Sequence, residues 1–446
     1  MDNREKLSSR LGFILLSAGC AIGCGNVWKF PWMVGQNGGG GFVLLYILFL
    51  LILGLPVMVA EFSMGRAAQA SPVKMYQKLE KPGSKWHIHG GFALLGNVCL
   101  MAFYSVVTGW MLYYFLKFAL GMTDDIGFVT MIQNPVVNVA FLAVTVILCF
   151  GVLCFNIQGG LERITKVMMI LLLGLMLVLA VRSVLLPGAA EGLKFYLLPD
   201  FKKINGDTVV AAMNQAFFTL SLGIGAMAIF GSYIGKDRSL LGESVNIIAL
   251  DTFVAITAGF IIFPSCFTYG VEVNSGPSLL FDTMATVFMN MKGGRLWGAL
   301  FFLFMTFASL STALAVYENI LACTRELTGW SRKKGALVCG TAMFLIALTT
   351  ALGYSVWPFH PFGPDSAWLD FWDFIVSFNL LPLGSLVFVA FCCNKRYGWG
   401  FDNFMAEANA GEGLKVKKWM KPIFTFVVPV GILLLWLYGI VTFQWN

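Results

Sequence analysis

Charge is what this sequence has least of: 12% of its 446 residues are charged, against 58% that are hydrophobic. A soluble globule carries roughly a quarter charged residues, because water must wet its surface. This chain cannot cover itself in that way, so lipid is the solvent for most of its exterior. Histidine is scarcer still, with three in the whole chain. No HExxH or GxSxG pattern occurs, and no nucleophile–base pair falls within an apolar run, so a membrane-embedded enzyme is not expected. The ten cysteines lie in or beside apolar runs and form no loop framework, so no disulfide pattern is read. Cys20 and Cys24 have helical spacing, but no histidine or carboxylate joins them, and they read as small packing residues. No cleavable leader is expected, because residues 1–10 lead directly into the first apolar run with no small-residue cleavage site.

What is present is apolar sequence at membrane-spanning length, for example 42–60, 141–155 and 423–441. These runs are continuous rather than alternating, which favours helices over a β-barrel. Eleven spans are predicted, at 11–36, 42–70, 90–121, 135–155, 161–186, 208–233, 241–270, 295–327, 336–354, 368–394 and 421–443. With the N-terminus placed in the cytoplasm, 22 of the 30 Lys and Arg residues fall on the inner side and 8 on the outer. That asymmetry follows the positive-inside rule, so the net charge of +7 reports topology rather than a nucleic-acid partner. The expected location is a cytoplasmic (inner) membrane, multi-pass, with the C-terminus outside.

Two spans contain a repeated oddity. The first carries GCAIGCGN at 19–26 and the sixth carries FFTLSLGIG at 217–225. Five spans separate them, an offset that inverts the second unit relative to the first. Glycine-rich interruptions at matching places in two halves mark a midplane binding site in transporters built from inverted repeats. Either stretch alone also reads as close helix packing through small residues. The expected organisation is one all-α transporter domain, 1–446. It divides into a first repeat at 10–186, an inverted second repeat at 208–394, and an extra helix at 421–443.

These residues, with further motifs, resemble the neurotransmitter:sodium symporters in their bacterial amino-acid-transporting branch. The markers are RLG at 10–12, GCGNVWKFP at 23–31, NGGGGF at 37–42, EFSMGR at 61–66, QAFFTLSLG at 215–223, SY at 232–233 and LDFW at 369–372. The resemblance covers essentially the whole chain, and its specificity comes from their joint order and spacing.

A broken helix frees carbonyls at one new end and N–H groups at the other, suiting a cation and a carboxylate respectively. The resemblance implies two sodium ions. Gly19 and Ile22 would give carbonyls to one, with Ala308, Ser311 and Thr312 of the eighth span. The other would use the Ala21 carbonyl, Asn26, Thr219 and the substrate carboxylate. All-oxygen ligation suits a hard cation. Asp251 stands where the family usually has Asn. A mid-span carboxylate costs about 2.5–3.5 kcal/mol on insertion scales, so it reads as a sodium ligand, or else as a hydrogen-bonded or protonated group in a helix interface. Animal relatives place chloride near Tyr46 and Gln215, and Asp251 would supply that negative charge, removing a chloride requirement.

The resemblance also gives a substrate site. Cys20, Ala21, Cys24 and Gly25 would contribute backbone at the first break, with Thr219 at the second. Tyr104 would bond the substrate carboxylate and Phe218 would cover the site. Leu100, Ser221, Ile224, Thr312 and Val316 would line the side-chain pocket. Monoamine carriers have an aspartate where Gly23 stands, so room is left for a carboxylate on the cargo. An apolar pocket with two hydroxyls and no charge favours neutral hydrophobic or aromatic amino acids. For gating, Lys29 resembles the outer cation, with Asp370 as its partner. On the inner side Arg4 would pair with Glu326, braced by Tyr233, although topology alone also accounts for Arg4. Leu7 and Ile170 depart from the family pattern at the inner side, and glutamates 61 and 318 also lie within spans, the former expected to bond unwound backbone. The expected function is sodium-coupled amino-acid symport by alternating access; an amino-acid sensor or ion channel on the same scaffold is the alternative.

Overall fold

In lipid every backbone N–H and C=O must find a partner within the protein, which restricts spanning structure to helices or closed barrels. A computed structural model describes residues 6–123, 127–271 and 279–443, and among them the chain is helical, with two isolated bridges and no strand. The segments that position the site are α1 (Arg10–Ala21), α2 (Gly25–Gln36), α3 (Gly40–Ala68), α4 (Ile88–Leu120), α5 (Pro135–Leu153) and α6 (Ile157–Val184). They continue with α7 (Gly206–Thr219), α8 (Ala226–Gly231), α9 (Leu240–Thr268), α10 (Gly294–Thr328), α11 (Arg332–Leu352), α12 (Trp368–Cys393) and α13 (Lys418–Thr442).

Among the described residues, nine helices are long and apolar enough to cross a membrane, namely α3–α6 and α9–α13. A tenth crossing exists if α1 and α2, bent by 50° at their junction, act as one span. The stretch expected at 208–233 is two helices rather than one. The 14 residues of α7 reach only about 21 Å, short of a hydrocarbon core of about 30 Å.

Side-chain caps fix where several helices begin. Ser9 Oγ accepts from the Gly12 N–H at 3.1 Å, and Asn205 Oδ1 from the Thr208 N–H at 2.8 Å. Asn134 Oδ1 accepts from Val136 and Val137 at 3.1 and 3.2 Å, with Pro135 first in α5, where its missing N–H costs nothing. Ser331 starts α11 at Arg332, earlier than the expected 336, and so draws Arg332 into the helix.

The layering follows burial. The apolar windows of α4 and α10, which pack along each other, are 72% buried, against 22% for α13. Ile147, Ile170, Leu434 and Val441 are exposed; a water-soluble protein would present them as an aggregation hazard, whereas here they form the lipid-facing surface. The end of the bundle where α1 begins is called the near side below, and the opposite end the far side.

Candidate functional site

The core of the bundle contains two places where a helix stops and restarts. At the first, α1 ends in Ile22, which is extended (φ −74°, ψ 95°), and α2 resumes at Gly25. At the second, α7 and α8 are separated by Leu220–Gly225, where Gly223 and Gly225 have φ of +90° and +73° and Ser221 sits at +51°. Ser221 is one of two non-glycine residues at positive φ among the described residues. Such a conformation costs roughly 1–3 kcal/mol and persists only where its surroundings enforce it. Here the Ser221 hydroxyl donates to the Cys20 carbonyl at 3.3 Å, which joins one break to the other. Glu61 of α3 accepts from the N–H groups of Gly223 and Met227 at 2.5 and 3.3 Å, as expected for a carboxylate facing unwound backbone.

Around the first break, five neutral oxygens converge. The Thr312 hydroxyl lies 3.2 Å from the Gly19 carbonyl, 3.4 Å from that of Ile22 and 3.5 Å from that of Ala308. The Ser311 hydroxyl lies 3.4 Å from the Ile22 carbonyl and 2.9 Å from that of Ala308. Most of these are long bonds, weaker than good hydroxyl–carbonyl geometry at about 2.7–2.8 Å. A buried set of five oxygens with no net charge fits a hard monovalent cation.

The second cluster centres on Asp251 of α9, fully buried. Asn26 Nδ2 donates to its Oδ1 at 2.8 Å and to its carbonyl at 3.1 Å. The hydroxyls of Thr219 and Tyr46 lie 3.4 Å from Oδ1 and Oδ2 respectively. Asn26 Oδ1 in turn accepts from the Gly23 N–H at 3.1 Å. Gln215 donates through Nε2 to the Gly25 carbonyl at 2.7 Å, while its Oε1 has no partner among the described residues. Three of the four expected protein ligands of the second ion therefore meet: Asn26, Thr219 and Asp251.

Between the breaks lies a narrow cavity walled by Ala21, Gly23, Gly25, Leu100, Tyr104, Phe218, Ser221, Thr312 and Leu381. Tyr104 Oη accepts from the Cys24 N–H at 2.8 Å. A Cβ at Gly23 would collide with that oxygen and with Thr312 Oγ1, so a side chain there would have to displace both hydroxyls. Two expected wall residues are placed elsewhere. Ile224 turns toward Gly96 of α4, and its carbonyl is held by Asn97 Nδ2 at 2.7 Å. Val316, fully buried, sits one turn beyond Thr312 in the α10 core. Sequence reading missed Leu381, which the glycine contact between chain segments brings in: Gly223 and Gly384 approach so closely that a Cβ on either would strike the other segment's backbone.

On the far side, Lys29 Nζ contacts both carboxylate oxygens of Asp373 at 2.7 Å and Ser377 Oγ at 3.1 Å. It also lies 4.1 Å from the ring centre of Phe218, which closes the cavity beneath it. The expected partner, Asp370, is instead committed to the α12 N-terminus, where it accepts from the Ala367 N–H at 2.8 Å. Asp373 lies nearly one turn deeper, and it is the carboxylate that meets Lys29.

On the near side, Tyr233 Oη donates to Glu318 at 3.0 Å. Arg332 holds the same carboxylate at 2.5 and 3.2 Å and also donates to the carbonyls of Leu153 and Phe155. Glu318, a mid-span carboxylate without an assigned role in the sequence, is thus the hub joining α10, α11 and the end of α5. Glu326 accepts from the Ser71 N–H and hydroxyl. Arg4 lies outside the described residues, and with it the expected Arg4–Glu326 and Arg4–Tyr233 contacts. The foot of α1 is clamped by two other carboxylates, Glu243 on Arg10 at 2.8 Å and Glu162 on Ser8 at 2.6 and 2.8 Å.

Comparison with known proteins agrees with this geometry. Residues 4–120 and 117–446 match the sodium:neurotransmitter symporter family. The chain is 35% identical to an uncharacterized sodium-dependent transporter of Bacillus subtilis, YhdH, over 98% of each protein. It is 25% identical to the bovine (Bos taurus) sodium- and chloride-dependent creatine transporter 1, over 98% of this chain and 77% of that one. Its fold superposes with a TM-score of 0.89 on a crystal structure of MhsT in complex with L-phenylalanine, at 34% identity and covering 98% and 99% of the two chains. Broken helices, buried oxygen clusters and whole-chain similarity agree: this chain belongs to the sodium:neurotransmitter symporter family and is a multi-pass membrane transporter, not an enzyme.

Proposed function

We propose that the chain imports neutral, hydrophobic or aromatic L-amino acids together with two sodium ions, by alternating access and without chloride. The observation that carries this reading is the cavity at the two breaks, closed by Phe218 and the Lys29–Asp373 pair on one side and flanked by both oxygen clusters. Its side-chain walls are Leu100, Phe218 and Leu381, with the hydroxyls of Ser221 and Thr312 and no charge. A charged side chain there would be buried unpaired at a cost of several kcal/mol. The positive end of α2 and the Tyr104 hydroxyl, which now accepts from the Cys24 N–H, suit a substrate carboxylate, and the bound L-phenylalanine of the MhsT structure fits the same class.

One sodium ion would use Gly19, Ile22, Ala308, Ser311 and Thr312. The other would use Ala21, Asn26, Thr219, Asp251 and the substrate carboxylate, so that ion and cargo bind together. The Asp251 carboxylate beside Tyr46 supports chloride independence, since it supplies the anion. In this reading α1 with α2, and α7 with α8, are each one interrupted span, giving eleven spans in a five-plus-five inverted repeat followed by α13. Positive-inside charge then puts the near side in the cytoplasm and the C-terminus outside. Each sodium charge moving inward across 100 mV supplies about 2.3 kcal/mol toward accumulation. Lys29–Asp373 would gate the outside and Tyr233–Glu318–Arg332 the inside. A channel needs a path open at both ends at once, and closure of the cavity beneath Lys29 favours a carrier.

Proteoliposomes containing the purified chain, given a panel of labelled amino acids with and without a sodium gradient, test the proposal. Saturable, sodium-dependent uptake of leucine-like or aromatic amino acids is expected. Absence of sodium-dependent uptake for every neutral member would refute it.

A further inference from the structure

Away from the central site, the lipid-facing sides of α5 and α11 do not meet evenly. They leave a groove of about 460 Å³, within the range of about 300–1,000 Å³ found for small-molecule sites. Its walls include Ile147, Phe150 and Gly151 from α5, and Leu337, Gly340 and Phe344 from α11. A Cβ at Gly151 would have no atom within 4 Å, so the groove is open there. The hydroxyl of Thr341, which also lines it, donates to the Leu337 carbonyl at 2.9 Å and asks nothing of an occupant. What fills this space must therefore be hydrocarbon.

Length and charge narrow the occupant. Along α5 the lining runs from Ala143 to Cys154, about 16 Å of helix, which matches half of a hydrocarbon core of about 30 Å. The near-side end of the groove opens beside the first turn of α11. Lys333 stands there one turn before Leu337, exposed and without an ion-pair partner among the described residues. Lys334 lies over the Trp330 ring at 4.9 Å, the aromatic–basic pairing typical of the headgroup level. Fixed positive charge at one end of a single-leaflet hydrocarbon slot is complementary to an anionic lipid.

We infer that this groove is a binding site for an anionic phospholipid of the near-side leaflet, with one acyl chain between α5 and α11 and the phosphate on Lys333. The inference is independent of which amino acid is carried. It is tested by native mass spectrometry of the full chain in detergent, titrated with phosphatidylglycerol and, as the neutral control, phosphatidylcholine. Wild type should retain phosphatidylglycerol preferentially. Lys333→Gln should weaken that preference about fivefold, equal to the roughly 1 kcal/mol that one basic residue contributes beside an anionic surface. Gly151→Phe, which fills the open stretch without a clash, should abolish retention of both lipids; Leu337→Asn in the same wall is the second variant should the first fail to fold. Equal phosphatidylglycerol retention by wild type and all variants would overturn the inference. So would a wild-type dimer in the same spectra that Gly151→Phe converts to monomer at unchanged lipid retention, which would make the groove a contact between two copies of the chain.

Discussion

Replacing Asp251 with asparagine keeps the shape of the second oxygen cluster and removes its charge. Asp251 Oδ1 is 3.4 Å from Thr219 Oγ1, so an ion held by both oxygens would lie within about 4 Å of the carboxylate. At that separation and an effective dielectric of about 20, the attraction is worth roughly 4 kcal/mol. Without chloride, sodium affinity should therefore fall by up to about a thousandfold. Stability of the sodium-free protein should move the other way, because a mid-span carboxylate carries an insertion cost of about 2.5–3.5 kcal/mol that asparagine lacks. Opposite signs separate loss of the ligand from misfolding. The assay is uptake into proteoliposomes against sodium concentration, in chloride and in gluconate, with melting temperature measured in sodium-free buffer. Wild type should be indifferent to the anion. Asp251→Asn should recover rate when chloride is present, since the Tyr46 hydroxyl that faces the carboxylate would be free to donate to the anion. A large loss of wild-type rate in gluconate, or an unchanged sodium dependence in the variant, would refute the reasoning.

Gly23→Ala should abolish amino-acid binding while the chain still elutes as a folded species on size exclusion, because the atoms nearest its Cβ belong to the Tyr104 and Thr312 side chains in the cavity wall rather than to backbone. Asp373→Asn should lower steady-state accumulation about tenfold by weakening closure over Phe218. Asp370→Ala, which removes the acceptor at the start of α12, should cost about 1 kcal/mol of stability in a melting experiment and leave the sodium dependence of uptake unchanged. Arg332→Met alone should destabilise the protein by about 3–5 kcal/mol, since it strands the buried Glu318 carboxylate. Glu318→Leu combined with Arg332→Met should restore most of that stability yet raise near-side labelling of a cysteine placed in the α1 foot. Ser221→Gly should raise the melting temperature by relieving the positive φ, with about 1 kcal/mol as the expected gain.

What the sequence disclosed depended on the kind of signal each feature leaves. Spanning helices are written in runs of apolar residues, and both breaks are written in glycines. Ser311 and Thr312, the expected oxygen ligands, stand out because two adjacent hydroxyls in an apolar helix need a use. Pairings across the bundle leave no such mark. Asp370 and Asp373 are three residues apart on one helix, and only the depth of α12 beside α2 decides which one meets Lys29. Ile224 and Leu381 are both apolar residues near breaks; the backbone of Leu220–Gly225 turns the former toward Gly96 and leaves the latter on the cavity wall. Glu318 had no legible role because its partners lie on other segments, Tyr233 in the turn after α8 and Arg332 in the first turn of α11.

The same geometry explains why the two ends of the cavity are coupled. Interruption at Ile22 makes α1 and α2 separate levers, each contributing to one of two adjacent oxygen clusters. The far lever is held by Lys29 on Asp373, and the near lever by Glu243 on Arg10 and Glu162 on Ser8. Moving either lever shifts carbonyls that the cations and substrate would need: Gly19 and Ile22 face Ser311 and Thr312 from the α1 side, while Asn26 faces Asp251 from the α2 side. Under the proposed function, ligand loading would stabilise the arrangement in which both levers are docked, and release of one lever would weaken the clusters beneath it. The Ser221–Cys20 bond and the grip of Glu61 on Gly223 and Met227 pass that displacement to the second break. Removing Glu61's charge by Glu61→Gln would leave the α7–α8 junction free to relax alone. Uptake should then fall while sodium binding at the Ser311–Thr312 cluster, which Glu61 does not touch, stays within about threefold of wild type by isothermal titration; an equal loss of both would mean that the breaks are not separable elements.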